Sequence, residues 1–145
     1  MNAIDVHKEW SSVIDRVIRE WPQFIRCAHD EMILISLSNL ESILAAYTFS
    51  AQRMVENDNA ITLSLNEIEL VENAADESLA KQALAKSILE YAEDYYNGFT
   101  LYRIVPNRKE HIPYVLKALI LNNQEKIEKL NTVCNDVGSK SSFTT

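Results

Sequence analysis

Two glycines and three prolines in 145 residues leave this chain short of the residues that reverse a backbone at low cost. A many-stranded β fold needs a turn roughly every eight to twelve residues, and those turns favour glycine and proline. Their scarcity is joined by apolar residues recurring at every third and fourth position over long stretches, the period of a helix. Together these features predict an all-α protein: a single-domain irregular antiparallel helical bundle of four main helices plus one or two short ones. The domain is expected over residues 1–138, with a flexible tail at 139–145. Hydrophobic residues make up 47% of the chain and charged residues 24%, enough apolar content to build a core and to exclude a disordered chain.

Over residues 3–21, Val6, Trp10, Val13, Val17 and Ile18 share one face, and Pro22 ends the run. A turn of helix is expected over 23–28. Asp30 is placed to cap a long, deeply buried central helix reaching Val55 through Met32, Ile33, Leu37, Leu40, Ile43, Leu44 and Tyr47. Asn57, Asp58 and Asn59 read as a loop. Residues 61–65 alternate apolar and polar like a short strand, whose one offered partner is a small hairpin with 100–105. Ser64-Leu65-Asn66-Glu67 matches a capping box and predicts a short helix over 65–74. Asp76 caps a further helix to Asn97, and Gly98 suits its left-handed end. A last helix is expected from His111 to Val137, with Pro113 tolerated in its first turn.

Charge is distributed unevenly. Glu56, Asp58, Glu67, Glu69, Glu72, Asp76, Glu77, Glu90, Glu93 and Asp94 face only Lys81 and Lys86 between residues 56 and 94, ten negative charges against two positive, which leaves −8 in a chain of net −7. A field of that sign steers cationic partners and disfavours nucleic acid, whose binding rests on Lys and Arg. No apolar run reaches the ~18 residues of a membrane span. The first residues lack the layout of a signal peptide, and a cytoplasmic protein is expected. In a reducing compartment Cys27 and Cys134 read as small buried hydrophobes.

Three groups of residues could carry chemistry. Glu69 and Glu72, and again Glu90 and Glu93, stand three apart, which places each pair on one face if the segment is helical. This resembles the Glu-x-x-Glu … Glu-x-x-Asp signature of the all-α nucleotide pyrophosphohydrolases related to MazG, with Glu93 where that family has Asp. The resemblance implies magnesium held by Glu69, Glu72, Glu90 and Glu93 over a nucleoside triphosphate. Arg26 precedes His29, and Arg108 precedes His111, by three residues, a closer spacing than the Arg–His pair of the all-α HEPN ribonucleases. Finally, Tyr91, Tyr95, Tyr96, Phe99 and Tyr102 crowd the end of one helix; the first two suit a core, and Tyr96 suits a binding anchor.

The reading these features favour is an acidic protein–protein interaction module without catalytic activity or cofactor. It would bind and neutralise a basic partner, as an immunity or antitoxin-type inhibitor of a nuclease toxin does. The general character is similar to that of small acidic helical immunity proteins, in charge and size and not through a motif. The binding residues expected are Glu67, Glu69, Glu72, Glu90, Glu93, Asp94 and Tyr96. The alternatives are the magnesium-dependent pyrophosphohydrolase and a structural or regulatory subunit that is homodimeric through Trp10 and Trp21.

Overall fold

The structure, a computed structural model, describes residues 1–130 and 132–135. It corrects the all-α expectation: six strands in two sheets accompany the helices. The chain forms two compact units, Met1–Ala45 and a second from Ala46 onward.

In the first unit, helices α1 (Ala3–Lys8) and α2 (Trp10–Arg19) precede a hairpin of β1 (Gln23–Cys27) and β2 (Asp30–Leu34), followed by α3 (Leu37–Ile43). The hairpin is antiparallel, pairing Phe24 with Ile33 and Arg26 with Glu31. Alternation along a strand then sends Ile25 inward and Phe24 outward. Val6, Val13, Val17 and Ile25 form a small core, with Ala3 and Leu34 packed against it. The expected long helix from Asp30 is therefore absent: Asp30 opens a strand, and Ser36 caps α3 by accepting from Asn39 N at 3.3 Å.

The second unit holds a four-stranded sheet in the order β5-β4-β3-β6, built from β3 (Ser50–Val55), β4 (Ile61–Leu65), β5 (Val71–Ala74) and β6 (Thr132–Asn135). Neighbours are antiparallel except β3 and β6, which run parallel. The alternation at 61–65 is a strand, but its partners are β3 and β5. Residues 100–105 offer none, since Phe99–Tyr102 form the short helix α5. Ile61, Leu63 and Leu65 point to the buried face beneath α4 (Glu77–Asn97). Helices α6 (Ile112–Leu121) and α7 (Gln124–Leu130) pack on α4. Phe49, Leu63, Leu84, Ile88, Tyr95 and Ile127 are the largest wholly enclosed side chains of this core.

The scarcity of glycine misleads because other residues make the turns. Ala28 (φ 52°), Asn59 (φ 64°), Asn107 (φ 70°) and Asn122 (φ 41°) take the left-handed conformation, and no described glycine does. Asparagine tolerates that region because its short polar side chain bonds locally. Asn122 ends α6, and the Asn123 side chain then caps α7 by accepting from Lys126 N at 3.1 Å. The expected continuous helix from His111 is thus two helices followed by a strand. Its last residues, Gly138 and the tail at 139–145 lie outside the described residues.

The capping box at 64–67 does not cap a helix. Both Glu67 carboxylate oxygens accept from Ser50 N, at 2.9 and 3.0 Å, and Oε1 also accepts from the Ser50 hydroxyl. Glu67 thereby fixes the start of β3 against the β4–β5 turn. Asp76 does cap α4, accepting from Leu79 N at 2.8 Å, and the helix ends at Gly98 as expected. Gly98 has φ −105°, so its value lies elsewhere: a Cβ there would stand 3.1 Å from the Tyr102 ring.

Candidate partner-binding surface

Each expected binding residue now has a place. Glu72, on β5, points inward and accepts a short hydrogen bond from the Ser87 hydroxyl of α4. Glu67 is held by Ser50. One of these half-buried carboxylates ties β3 to the β4–β5 turn and the other ties β5 to α4. Glu69 is exposed in the β4–β5 turn. Glu90, Glu93, Asp94 and Tyr96 are exposed on α4. At 100° per residue, Glu90 and Asp94 stand roughly 40° apart on one face of that helix, near Ser87 and Tyr91, while Glu93 and then Tyr96 follow Glu90 in steps of about 60° around it. Glu90, Glu93 and Asp94 thus share a flank of α4 that leads round to Tyr96, whereas Glu69 and Glu72 belong to the β4–β5 turn and to β5.

That separation also dismantles the proposed magnesium quartet. Residues 69–72 run through a turn into a strand, so the helical premise of the resemblance fails. Glu90 pairs with Lys86 at 3.6 Å on the solvent face. No group of three or more His, Cys, Asp or Glu among the described residues is placed to hold a metal ion. Cys27 and Cys134 are both exposed, against the expectation of buried thiols.

Beside Tyr96 an open apolar groove of 290 Å³ runs between α4 and α6. Tyr96 and Phe99 form one wall, Ile112, Leu116 and Leu119 the other, and Tyr95 and Val115 the floor. Tyr96 is 67% exposed and Tyr95 only 1%. Leu101, Ile104 and Val105, which follow Phe99 in the chain, are exposed as well. Contiguous apolar surface of this kind is where soluble proteins meet partners. The sequence carried a signal for it: Phe99, Leu101, Ile104 and Val105 crowd a stretch with no helical or strand period to bury them.

An aromatic and polar cluster holds this end together. Tyr95 Oη donates to the Arg108 carbonyl at 2.7 Å, and Arg108 Nη1 donates to Tyr91 Oη at 3.1 Å. The Arg108 guanidinium carbon lies 5.4 Å from the centroids of both Tyr91 and Tyr102, cation–π range. Tyr91 Oη is 2.7 Å from His111 Nδ1. Burial favours the neutral imidazole, and with it we assign Tyr91 as the donor to Nδ1, which places the imidazole hydrogen on Nε2. Burial pushes the His111 pKa down; the neighbouring Arg108 charge adds to this, while Glu69 and Glu110 oppose it. Burial likewise raises the Tyr91 pKa, with Arg108 working against it. Arg108 and His111, paired only by spacing in the sequence, meet here through Tyr91 as a brace for the segment leading into α6.

A helix-backed sheet carrying an exposed, half-apolar groove, with no metal cluster among its described residues, has the build of a protein-binding module. Comparison with known proteins gives the family. The PHD-like family model, described as an antitoxin of toxin–antitoxin systems, RelE / RelB, matches residues 1–133, and the chain belongs to this family. A crystal structure of an antitoxin part of a candidate toxin/antitoxin system from Syntrophomonas wolfei subsp. wolfei is similar. It is 30% identical, superposes with a TM-score of 0.87, and the match covers 93% of this chain and 97% of that one. None of the curated proteins compared matches the chain. Membership in a family of antitoxins agrees with the expectation of a non-enzymatic toxin inhibitor that works by binding a protein partner. No described helix is long and apolar enough to cross a membrane.

Proposed function

We propose that this antitoxin neutralises a basic, nucleic-acid-cleaving toxin in the cytoplasm, and that the toxin docks along Glu90, Glu93 and Tyr96 of α4. The observation that carries the reading is the row itself: two exposed carboxylates one helical turn apart lead directly to an exposed tyrosine at the mouth of an apolar groove. Proteins that cleave nucleic acid are cationic where they hold phosphate. Carboxylates facing such a surface accelerate encounter, and a tyrosine seated in a desolvated centre slows dissociation. The Lys86–Glu90 pair is exposed and worth little, so Glu90 stays available to a stronger partner. Asp94, roughly 40° round the helix from Glu90, adds to the same negative face, and Glu69 adds to the field from its turn. Glu67 and Glu72 contribute charge at long range from their hydrogen-bonded places.

The test replaces Glu90, Glu93 and Asp94 by Lys and follows association with the cognate toxin by stopped-flow over a series of salt concentrations. The expected result is an association rate at low salt reduced by at least about tenfold, with a flattened salt dependence. Tyr96→Ala is expected to raise the dissociation rate and leave association nearly unchanged. An unaltered rate and salt slope in the triple variant would remove the acidic docking row from the account.

A further inference from the structure

A second cavity, of 320 Å³, adjoins the apolar groove and is lined by Phe99, Arg103, Lys109 and Ile112. Phe99 and Ile112 line both, so the two lie side by side and share a wall. One half is walled almost wholly by hydrocarbon and aromatic rings; the other presents two cations. Arg103 comes from the end of α5 and Lys109 from the 3-10 turn that leads into α6. Neither makes an ion pair or side-chain hydrogen bond with any described residue. By contrast, Arg16, Arg26, Arg53, Lys81 and Lys86 pair with carboxylates, and Arg108 is committed to Tyr91 and Tyr102. In a protein with 21 acidic residues, two unpaired cations flanking the mouth of an apolar groove are an unused recognition element.

We propose that this two-part cavity binds a small amphiphile with an anionic head, a carboxylate on an extended hydrocarbon body. The head sits between Arg103 and Lys109, where the guanidinium offers a planar fork of donors and the ammonium a mobile point charge. The body lies in the groove between α4 and α6 against Phe99, Ile112 and Leu116, removing apolar surface from water on both sides. Each half is near the lower end of the roughly 300–1,000 Å³ typical of small-molecule sites, and a ligand that reaches across Phe99 and Ile112 occupies both. Since Tyr96 and Phe99 wall the same groove, a bound amphiphile would change the surface offered to a protein partner.

The experiment titrates the whole chain, without toxin, with decanoate, decyltrimethylammonium and acetate, and reads backbone amide shifts by NMR. Decanoate is expected to move the amides of Phe99, Arg103, Lys109, Ile112 and Leu116. The cationic amphiphile of equal chain length is expected to bind at least about tenfold more weakly, one charge-assisted contact being worth that factor or more. Acetate is expected to leave the spectrum unchanged. The exposed double variant Arg103→Gln/Lys109→Gln keeps the fold and is expected to lose at least about tenfold in decanoate affinity. Equal binding of the two amphiphiles, unchanged affinity in the double variant, or shifts confined to other parts of the chain would overturn the proposal. The measurement needs no toxin, so its failure and a failure of the docking row are read separately.

Discussion

The two units solve the same problem with unequal means. The first encloses Val6, Val13, Val17 and Ile25 and little else, while Trp10, Ile18, Trp21, Phe24, Met32, Ile33 and Leu37 stay exposed. The second encloses, among its described residues, fifteen side chains, several of them large, between a sheet and three helices. Surface-to-volume scaling explains the contrast: units near or below ~40 residues cannot bury enough area to be stable unaided, whereas a hundred-residue unit can. The difference teaches that the second unit carries the stability, and that the apolar surface left over in the first is a demand for a partner.

Core truncations give the largest effects and can break this comparison. Phe49→Ala removes a ring from the centre of the second unit and is expected to cost about 3–5 kcal/mol, read as a shift of the urea midpoint for the whole unit. Val13→Ala in the first unit deletes about two methylene equivalents and is expected to cost roughly 2 kcal/mol. Its loss of hydrogen-exchange protection should be confined to residues 1–45. Equal loss of protection across both units in Val13→Ala would show one cooperative body and erase the distinction.

Legibility in the sequence follows the same division. Helix α4 is readable end to end, because Asp76 caps it through a local hydrogen bond and Gly98 closes it, and neither depends on distant contacts. The stretch 24–55 is unreadable by period alone. Its apolar residues are dense enough to match a helical repeat, yet they belong to β1, β2, α3 and β3. The turn that decides the matter rests on Ala28 at φ 52°, a residue with no turn signature. Strand β4 showed its alternation, but its partners came from an apolar run and from a false capping box. Glu67 satisfied the box in sequence while its carboxylate was committed to Ser50, seventeen residues earlier. Of the expected binding residues, Glu90, Glu93, Asp94 and Tyr96 lie exposed on a helix whose period is local and readable. Glu69 and Glu72 do not lie on a helix, and their orientation depends on strand pairing. The groove required α6 to lie beside α4, which no local pattern encodes.

The exposed surface of the first unit sharpens the comparison next. Trp10 and Trp21 are 52% and 76% exposed, and Ile18 of α2 is exposed beside them in sequence. Exposed tryptophans are costly in a monomer and frequent at the centres of interfaces. Self-association of the chain through this surface is the expected outcome, measured by sedimentation at several concentrations. The double variant Trp10→Ala/Trp21→Ala, which leaves the buried core of the unit in place, is expected to weaken it by at least about tenfold. A concentration-independent monomer in the parent chain would assign that surface to a different partner.

The smallest expected effect tests the brace in the second unit. Burial and the nearby Arg108 charge hold the folded pKa of His111 below its ordinary value of about 6.5. The unfolded chain therefore binds the proton more readily than the folded one. The sign follows: His111 contributes its full stabilisation above about pH 6.5 and loses it as the pH falls through the window between the ordinary value and the lowered folded one. Protonation would also take from Tyr91 the acceptor it uses at Nδ1 and set a second positive charge beside Arg108. His111→Gln can keep an acceptor for Tyr91 while removing the titration. Its urea midpoint is expected to fall less than that of the parent between about pH 7 and about pH 5.5, a range above the usual carboxylate titrations. Parallel pH profiles for the two proteins would mean that the imidazole is as easily protonated in the folded unit as in the unfolded chain, and that the Tyr91–His111 hydrogen bond does not hold the segment before α6.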